Sequence, residues 1–130
     1  MEPVQPTRNG PLLVVDDDPD ARDGLRDVLE DAGFTVICVG NGKQALTYLR
    51  ENPAPACILL DLFMPVMNGW QFARQLQTMA GLASVPVLVV TAQEPHWGYP
   101  TSHVLRKPID ASDLVRTVRA MLGDSGGLAA

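Results

Sequence analysis

The chain has 130 residues and a formal net charge of −5 at pH 7, with 46% hydrophobic and 19% charged residues. That length and balance fit one globular domain with a real hydrophobic core and exclude a disordered polymer. The acidic charge speaks against a binder of nucleic-acid backbones, and no apolar run of about 18 residues exists to span a membrane.

The first eleven residues, MEPVQPTRNGP, lack an apolar stretch and read as a flexible leader rather than a signal peptide. Leu12, Leu13, Val14 and Val15 follow as a short apolar run, the pattern of a strand covered on both faces. Asp18 offers a helix N-cap with Pro19 at the first helical position. Ala21, Leu25, Val28, Leu29 and Ala32 recur at helical spacing, and Gly33 closes that helix. Residues 35–39 read as a second strand. Asn41 caps a second helix carrying Ala45, Leu46 and Leu49, stopped by Asn52 and Pro53. Residues 57–60 form a third strand. Residues 63–69 form a loop, with Pro65 and Asn68-Gly69 as turn signals. A third helix starts near Gly69 and buries Phe72, Ala73 and Leu76. A fourth strand spans residues 85–90, and a short fifth spans residues 104–106. Asp110 caps a last helix, with Asp113 in a capping-box-like position and a core face of Leu114, Val118, Met121 and Leu122. The tail GDSGGLAA is Gly-rich and reads as frayed. Cys38 and Cys57 lie in apolar runs without metal-site spacing and read as small core residues of a reduced, cytoplasmic protein.

Five strands alternating with helices predict an α/β fold with a parallel sheet covered on both faces. In such a sheet, ligands bind beyond the carboxyl ends of the strands. Strand one ends there in Asp16, Asp17 and Asp18, strand three in Asp61, strand four in Thr91, and strand five in Lys107-Pro108. Two carboxylates about 4 Å apart repel by roughly 4 kcal/mol at an effective dielectric near 20. A hard divalent cation such as Mg²⁺ offsets that repulsion. A carboxylate can also attack phosphorus to give an acyl phosphate, with a cation, an ammonium and a hydroxyl each taking one oxygen of the migrating group. Each of these residues alone reads as ordinary, and Asp18 reads only as a cap. Sharing one edge of one sheet, the others read as a site.

VVDDDPDAR, LLDLFMPVMNGW, VVTA and LRKP resemble the receiver domains of bacterial response regulators over about residues 12–122. The steps of 44 residues from Asp17 to Asp61 and 30 from Asp61 to Thr91 resemble the family's intervals. The resemblance implies a flavodoxin-like doubly wound sheet in the order 2-1-3-4-5. It divides the chain into a leader (1–11), a receiver domain (12–122) and a flexible tail (123–130). It implies that Asp61 accepts a phosphoryl group and that Mg²⁺ is held directly by Asp17 and Asp61, by Asp16 through water, and by the Phe63 carbonyl. It further implies that Thr91 and Lys107 contact the phosphoryl oxygens, and that the Lys107-Pro108 peptide is cis.

Three positions depart from the family pattern. Only 16 residues separate Thr91 from Lys107, and Pro95, Gly98 and Pro100 interrupt them, so the fourth helix is expected to be missing or shortened. Val104 stands where the family places a switch aromatic, with Tyr99 or Trp97 as the candidate substitute and Pro100 between them and the strand. Phe63 and Gln93 stand where water access to the acyl phosphate is governed, and a bulky Phe63 implies a long-lived phosphorylated state.

The resulting expectation is a stand-alone receiver, not a conventional enzyme. Its partners are a histidine kinase or phosphotransfer protein, a downstream protein, and a second copy in a homodimer, with neither nucleic acid nor membrane. The alternative is a receiver-like binding module that signals without phosphorylation. An Asp-nucleophile phosphatase would want an acid two residues after the nucleophile, where Phe63 stands. A DNA-binding regulator has no residues left for a helix-turn-helix. His96 and His103 lack partners at metal-ligand spacing. Trp97 and Tyr99 are candidate interface anchors. Phe72 is read as core and Trp70 as half exposed.

Overall fold

The computed structural model describes residues 10–92 and 103–123. Most of the predicted leader and tail, and the segment predicted to lack a full fourth helix, fall outside the described residues. So do Gln93, His96, Trp97 and Tyr99. In chain order the elements are β1 (Leu12–Val15), α1 (Pro19–Asp31), β2 (Val36–Val39), α2 (Gly42–Glu51), β3 (Cys57–Leu60), α3 (Gly69–Gln77), β4 (Val87–Thr91), β5 (Val104–Arg106) and α4 (Ala111–Met121). The five strands are all parallel, in the order β2-β1-β3-β4-β5, as expected.

Period-two alternation along the strands builds two cores. Leu12, Val14, Cys57, Leu59, Leu88 and Val90 face one side, where they meet Leu25 and Leu29 of α1 and Leu114 and Val118 of α4. Leu13, Val15, Ile58 and Leu60 face the other, where they meet Ala45, Leu46 and Leu49 of α2 and Phe72 and Leu76 of α3. Every residue of β1 is fully buried, which explains its unbroken apolar run. Right-handed crossovers account for the helices alternating between faces as the chain reverses direction between β2 and β3.

The helix ends follow local rules. Asp18 caps α1 by accepting from the Asp20 N–H. The Gly33 N–H donates to the Glu30 carbonyl and the Phe34 N–H to the Leu29 carbonyl, with Gly33 at φ 101°, a Schellman closure. Asn41 and Asp110 cap α2 and α4 as read from sequence. Two details differ. The reciprocal capping box lies at α3, where the Asn68 and Gln71 side chains each accept the other residue's backbone N–H. At α4, Asp113 instead pairs with Arg116. Strand β4 begins at Val87 rather than Val85, because Val85 closes a turn onto the Leu82 carbonyl while its side chain stays in the core.

Between β3 and α3 the chain folds back sharply. The Gly69 N–H donates to the Leu62 carbonyl at 2.9 Å. A Cβ on Gly69 would lie 2.7 Å from Leu62 Cα and 2.8 Å from the Asp61 carbonyl oxygen. Only glycine tolerates this approach, and the neighbour that would have to move is the backbone around Asp61. Gly69→Ala is therefore expected to destabilise the protein by roughly 1–3 kcal/mol. A urea-denaturation midpoint equal to that of the unaltered chain would contradict this packing argument.

Candidate functional site

Strands β1, β3, β4 and β5 end side by side, and the polar residues sit one step beyond their apolar runs. Ladder bonds continue into that step. Asp16 N–H donates to the Val39 carbonyl at 3.2 Å, Asp61 N–H to Val15 at 3.0 Å, and Lys107 N–H to Thr91 at 2.9 Å. These side chains thus stand on laddered sheet backbone rather than on free loops. Carboxylate oxygens of Asp16, Asp17 and Asp61 lie within 4.8 Å of one another. Thr91 is fully buried at the end of β4. The Lys107-Pro108 peptide is cis, as the resemblance implies.

Asp16 is the most tightly held of the acids. It is 1% exposed. Its Oδ1 accepts from the Asp18 N–H at 3.0 Å and its Oδ2 from Lys107 Nζ at 2.8 Å. Arg22 Nη1 donates to its backbone carbonyl at 2.9 Å. The sequence reading directed Lys107 to a phosphoryl group beside Asp61; here its ammonium rests on Asp16. The sequence gives no sign of the Arg22 bond, since an Arg in a helix's first turns reads as a solvated charge. Its bond depends on α1 returning over the end of β1, which no local pattern records.

Asp61 accepts at Oδ1 from the Phe63 N–H at 3.2 Å. Burial first, and the Asp16 charge second, push its carboxyl up to about 6, against partial opposition from the Phe63 N–H and Lys107. For Lys107, burial works to lower the ammonium's pKa. The Asp16 hydrogen bond and the charges of Asp16 and Asp61 outweigh it, and the net shift is upward. Both shifts describe a pocket with more negative charge than one ammonium balances.

The loop after Asp61 is strained and partly apolar at its surface. Val66 has φ 71°, in the left-handed region that β-branched residues avoid, and the Met67 N–H closes a γ-turn onto the Pro65 carbonyl at 2.8 Å. Val66 is 72% exposed and Phe63 42% exposed. The Phe63 ring packs edge-on against Trp70, with centroids 5.4 Å apart and an interplanar angle of 81°. Val104 lies at the start of β5, paired with Val89. His103 contributes its backbone carbonyl to the Val89 N–H. Cys38 is half-buried and Cys57 buried, both as free thiols, and burial pushes Cys57 up to about 12. No helix among the described residues is long and apolar enough to cross a membrane.

The raised Asp61 pKa has a defined sign. An acid with ordinary pKa 3.8 that holds its proton to about 6 when folded stabilises the fold fully below pH 3.8 and loses that contribution as pH rises through 6. Above that window the buried charge is a burden on the metal-free protein. Asp61→Asn should relieve it by about 1–2 kcal/mol at pH 7.5, after allowance for solvent at the cleft mouth. The stability gap between variant and unaltered chain should shrink as pH falls toward 4. Urea denaturation across that range measures the gap, and a gap independent of pH contradicts the assignment.

Comparison with known proteins agrees with this geometry. The family model for the response regulator receiver domain matches residues 12–119. The chain is 33% identical to Protein PilH of Pseudomonas aeruginosa over 117 residues, covering 85% of this chain and 96% of PilH. It is 36% identical over 118 residues to response regulator Rre1 of Synechocystis, covering 85% of this chain but only 51% of that relative, so it spans about half of Rre1's length. Among solved structures, the receiver domain of sensor histidine kinase PA1611 from Pseudomonas aeruginosa, which carries a magnesium ion in its active-site cleft, superposes with a TM-score of 0.80. That pair is 24% identical, and the match covers 88% of this chain and 98% of the other. By family match, strand order and relatives alike, the chain belongs to the response regulator receiver domains of two-component signalling.

Proposed function

We propose that this receiver takes a phosphoryl group onto Asp61 from a histidine kinase or phosphotransfer protein, with Mg²⁺ as cofactor, and signals by binding a downstream protein. The observation that carries this reading is one cluster of Asp16, Asp17 and Asp61 oxygens with the Lys107 ammonium set against it. At pH 7 and above Asp61 is mostly ionised, as a nucleophile must be. An Asp61 oxygen attacks phosphorus, the P–N bond of the donor phosphohistidine breaks, and the electron pair returns to the imidazole, which takes up a proton. Lys107 and Thr91 meet phosphoryl oxygens as charge moves onto them.

The donor set fits Mg²⁺: three carboxylates of adjacent strand ends, all hard oxygens, where burial and mutual repulsion disfavour bare charge. Asp17 and Asp61 would hold the ion directly, Asp16 through water, and the Phe63 carbonyl would be a third protein ligand. When bound, the ion supplies charge neutralisation at a phosphoryl oxygen. The magnesium in the PA1611 receiver supports this assignment by similarity of fold. The half-buried Val104 in place of a switch aromatic favours a second reading, a binding module that signals without phosphorylation.

Incubation with Mg²⁺ and acetyl phosphate should add one phosphoryl mass to the intact chain. Asp61→Asn or a chelator should abolish the addition, and Lys107→Ala should slow it roughly 10²-fold. A chain that stays unmodified supports the second reading instead. The exposed Phe63 side chain is expected to screen the acyl phosphate from water, so Phe63→Asn should shorten its lifetime in a phosphate-release time course. An unchanged lifetime removes the screen from this account.

A further inference from the structure

Phe63 and Trp70 stand seven residues apart, the first in the loop that leaves Asp61 and the second in the first turn of α3. The loop is pinched at its neck, where Gly69 donates to the Leu62 carbonyl and leaves no room for a Cβ between the two backbones. The residue that follows each of these two in the chain is aromatic, and the two rings lie in edge-to-face contact. The Phe63 backbone is fixed separately, since its N–H donates to Asp61 Oδ1. An exposed Phe side chain otherwise exchanges among staggered rotamers. Packing against Trp70 selects one of them, and Trp70 is itself anchored in the first turn of α3, which the Asn68–Gln71 capping box secures.

We propose that Trp70 is a positioning residue for the chemistry at Asp61: by holding the Phe63 ring it sets how fast water reaches the phosphorylated carboxylate. The proposal rests on the reading of Asp61 as phosphoacceptor. The step it governs is hydrolysis. A water oxygen attacks phosphorus, the P–O bond to Asp61 breaks, and the carboxylate and inorganic phosphate are released with loss of one proton. Trp70 acts through Phe63.

The test uses the full chain, loaded with acetyl phosphate and Mg²⁺, freed of donor, and followed by intact mass as the acyl phosphate decays. Trp70→Ala and Trp70→Leu should decay about three- to tenfold faster, the factor that one aromatic pair corresponds to. Trp70→Phe, which restores a ring, should stay within about twofold of the unaltered chain. In a Phe63→Ala background, Trp70→Ala should add nothing further, because the group it positions is gone. Circular dichroism confirms that each variant folds, and Trp70→Leu retains apolar volume if the alanine variant does not. Decay unaffected by Trp70→Leu, or an equal acceleration with and without Phe63, overturns the proposal. An unaltered chain that never gains the phosphoryl mass removes the Asp61 reading and this inference together. Normal loading with a Trp70-insensitive lifetime removes this inference alone.

Discussion

Two adjacent parallel strands, β1 and β3, deliver carboxylates to the same corner of the sheet, and the rest of the site is arranged around that repulsion. Parallel register leaves no choice in the matter. Val15 pairs with Leu60, so the residues that follow each must emerge together. With side-chain oxygens within 4.8 Å, the acids either share a cation, share protons, or lean on a nearby ammonium. In the present structure Lys107 meets part of that demand at Asp16, and Asp61 meets part by holding its proton to higher pH. Both are the response of a site built for more positive charge than one lysine supplies.

The backbone on either side of Asp61 shows the same economy of position. Behind it lies β3, fully buried and laddered on both edges. Ahead of it lies a loop that turns back within a few residues, with a γ-turn at Val66, a bare glycine at the neck and a reciprocal cap at Asn68. A β-branched residue at φ 71° stores strain of order 1–3 kcal/mol. That strain persists because the pinch at Gly69 and the cap of α3 both fix the loop's far end. The same loop and the start of α3 carry two aromatic rings in edge-on contact, the Phe63 ring open to solvent.

Much of this was legible in the sequence, for identifiable reasons. Unbroken apolar runs such as Leu12–Val15 mark strands buried on both faces, and Asp18, Asn41 and Asp110 mark helix starts because a cap is a local hydrogen bond. Asp16, Asp17 and Asp61 could be placed together because the rule that ligands gather at strand carboxyl ends converts sequence position into space. What the sequence did not reveal depends on tertiary return. The Arg22 bond to the Asp16 carbonyl, the resting place of Lys107 on Asp16, and the Phe63–Trp70 contact each join residues whose proximity is set by how two elements pack or how tightly a loop closes. Its place at the start of the third helix reads Trp70 as half exposed and says nothing about what its ring leans on. Strand β4 starts two residues after its apolar run begins for a similar reason: Val85 is apolar and buried, yet spends its N–H on a turn rather than a ladder.

The unequal treatment of the two buried acids carries a chemical consequence. Both Asp16 carboxylate oxygens are bound, by the Asp18 N–H and by Lys107 Nζ, so its charge is dispersed over fixed donors and its oxygens are poorly placed to attack anything. Asp61 receives the Phe63 N–H on Oδ1, lies at the end of the neighbouring strand, and carries a carboxyl raised to about 6. A carboxylate held at that value is a better nucleophile than one locked in an ion pair, because less of its charge is already neutralised, and it is still ionised at neutral pH. The Lys107–Asp16 pair stabilises the Asp16 carboxylate and holds an ammonium within the field of Asp61, the acid proposed to react.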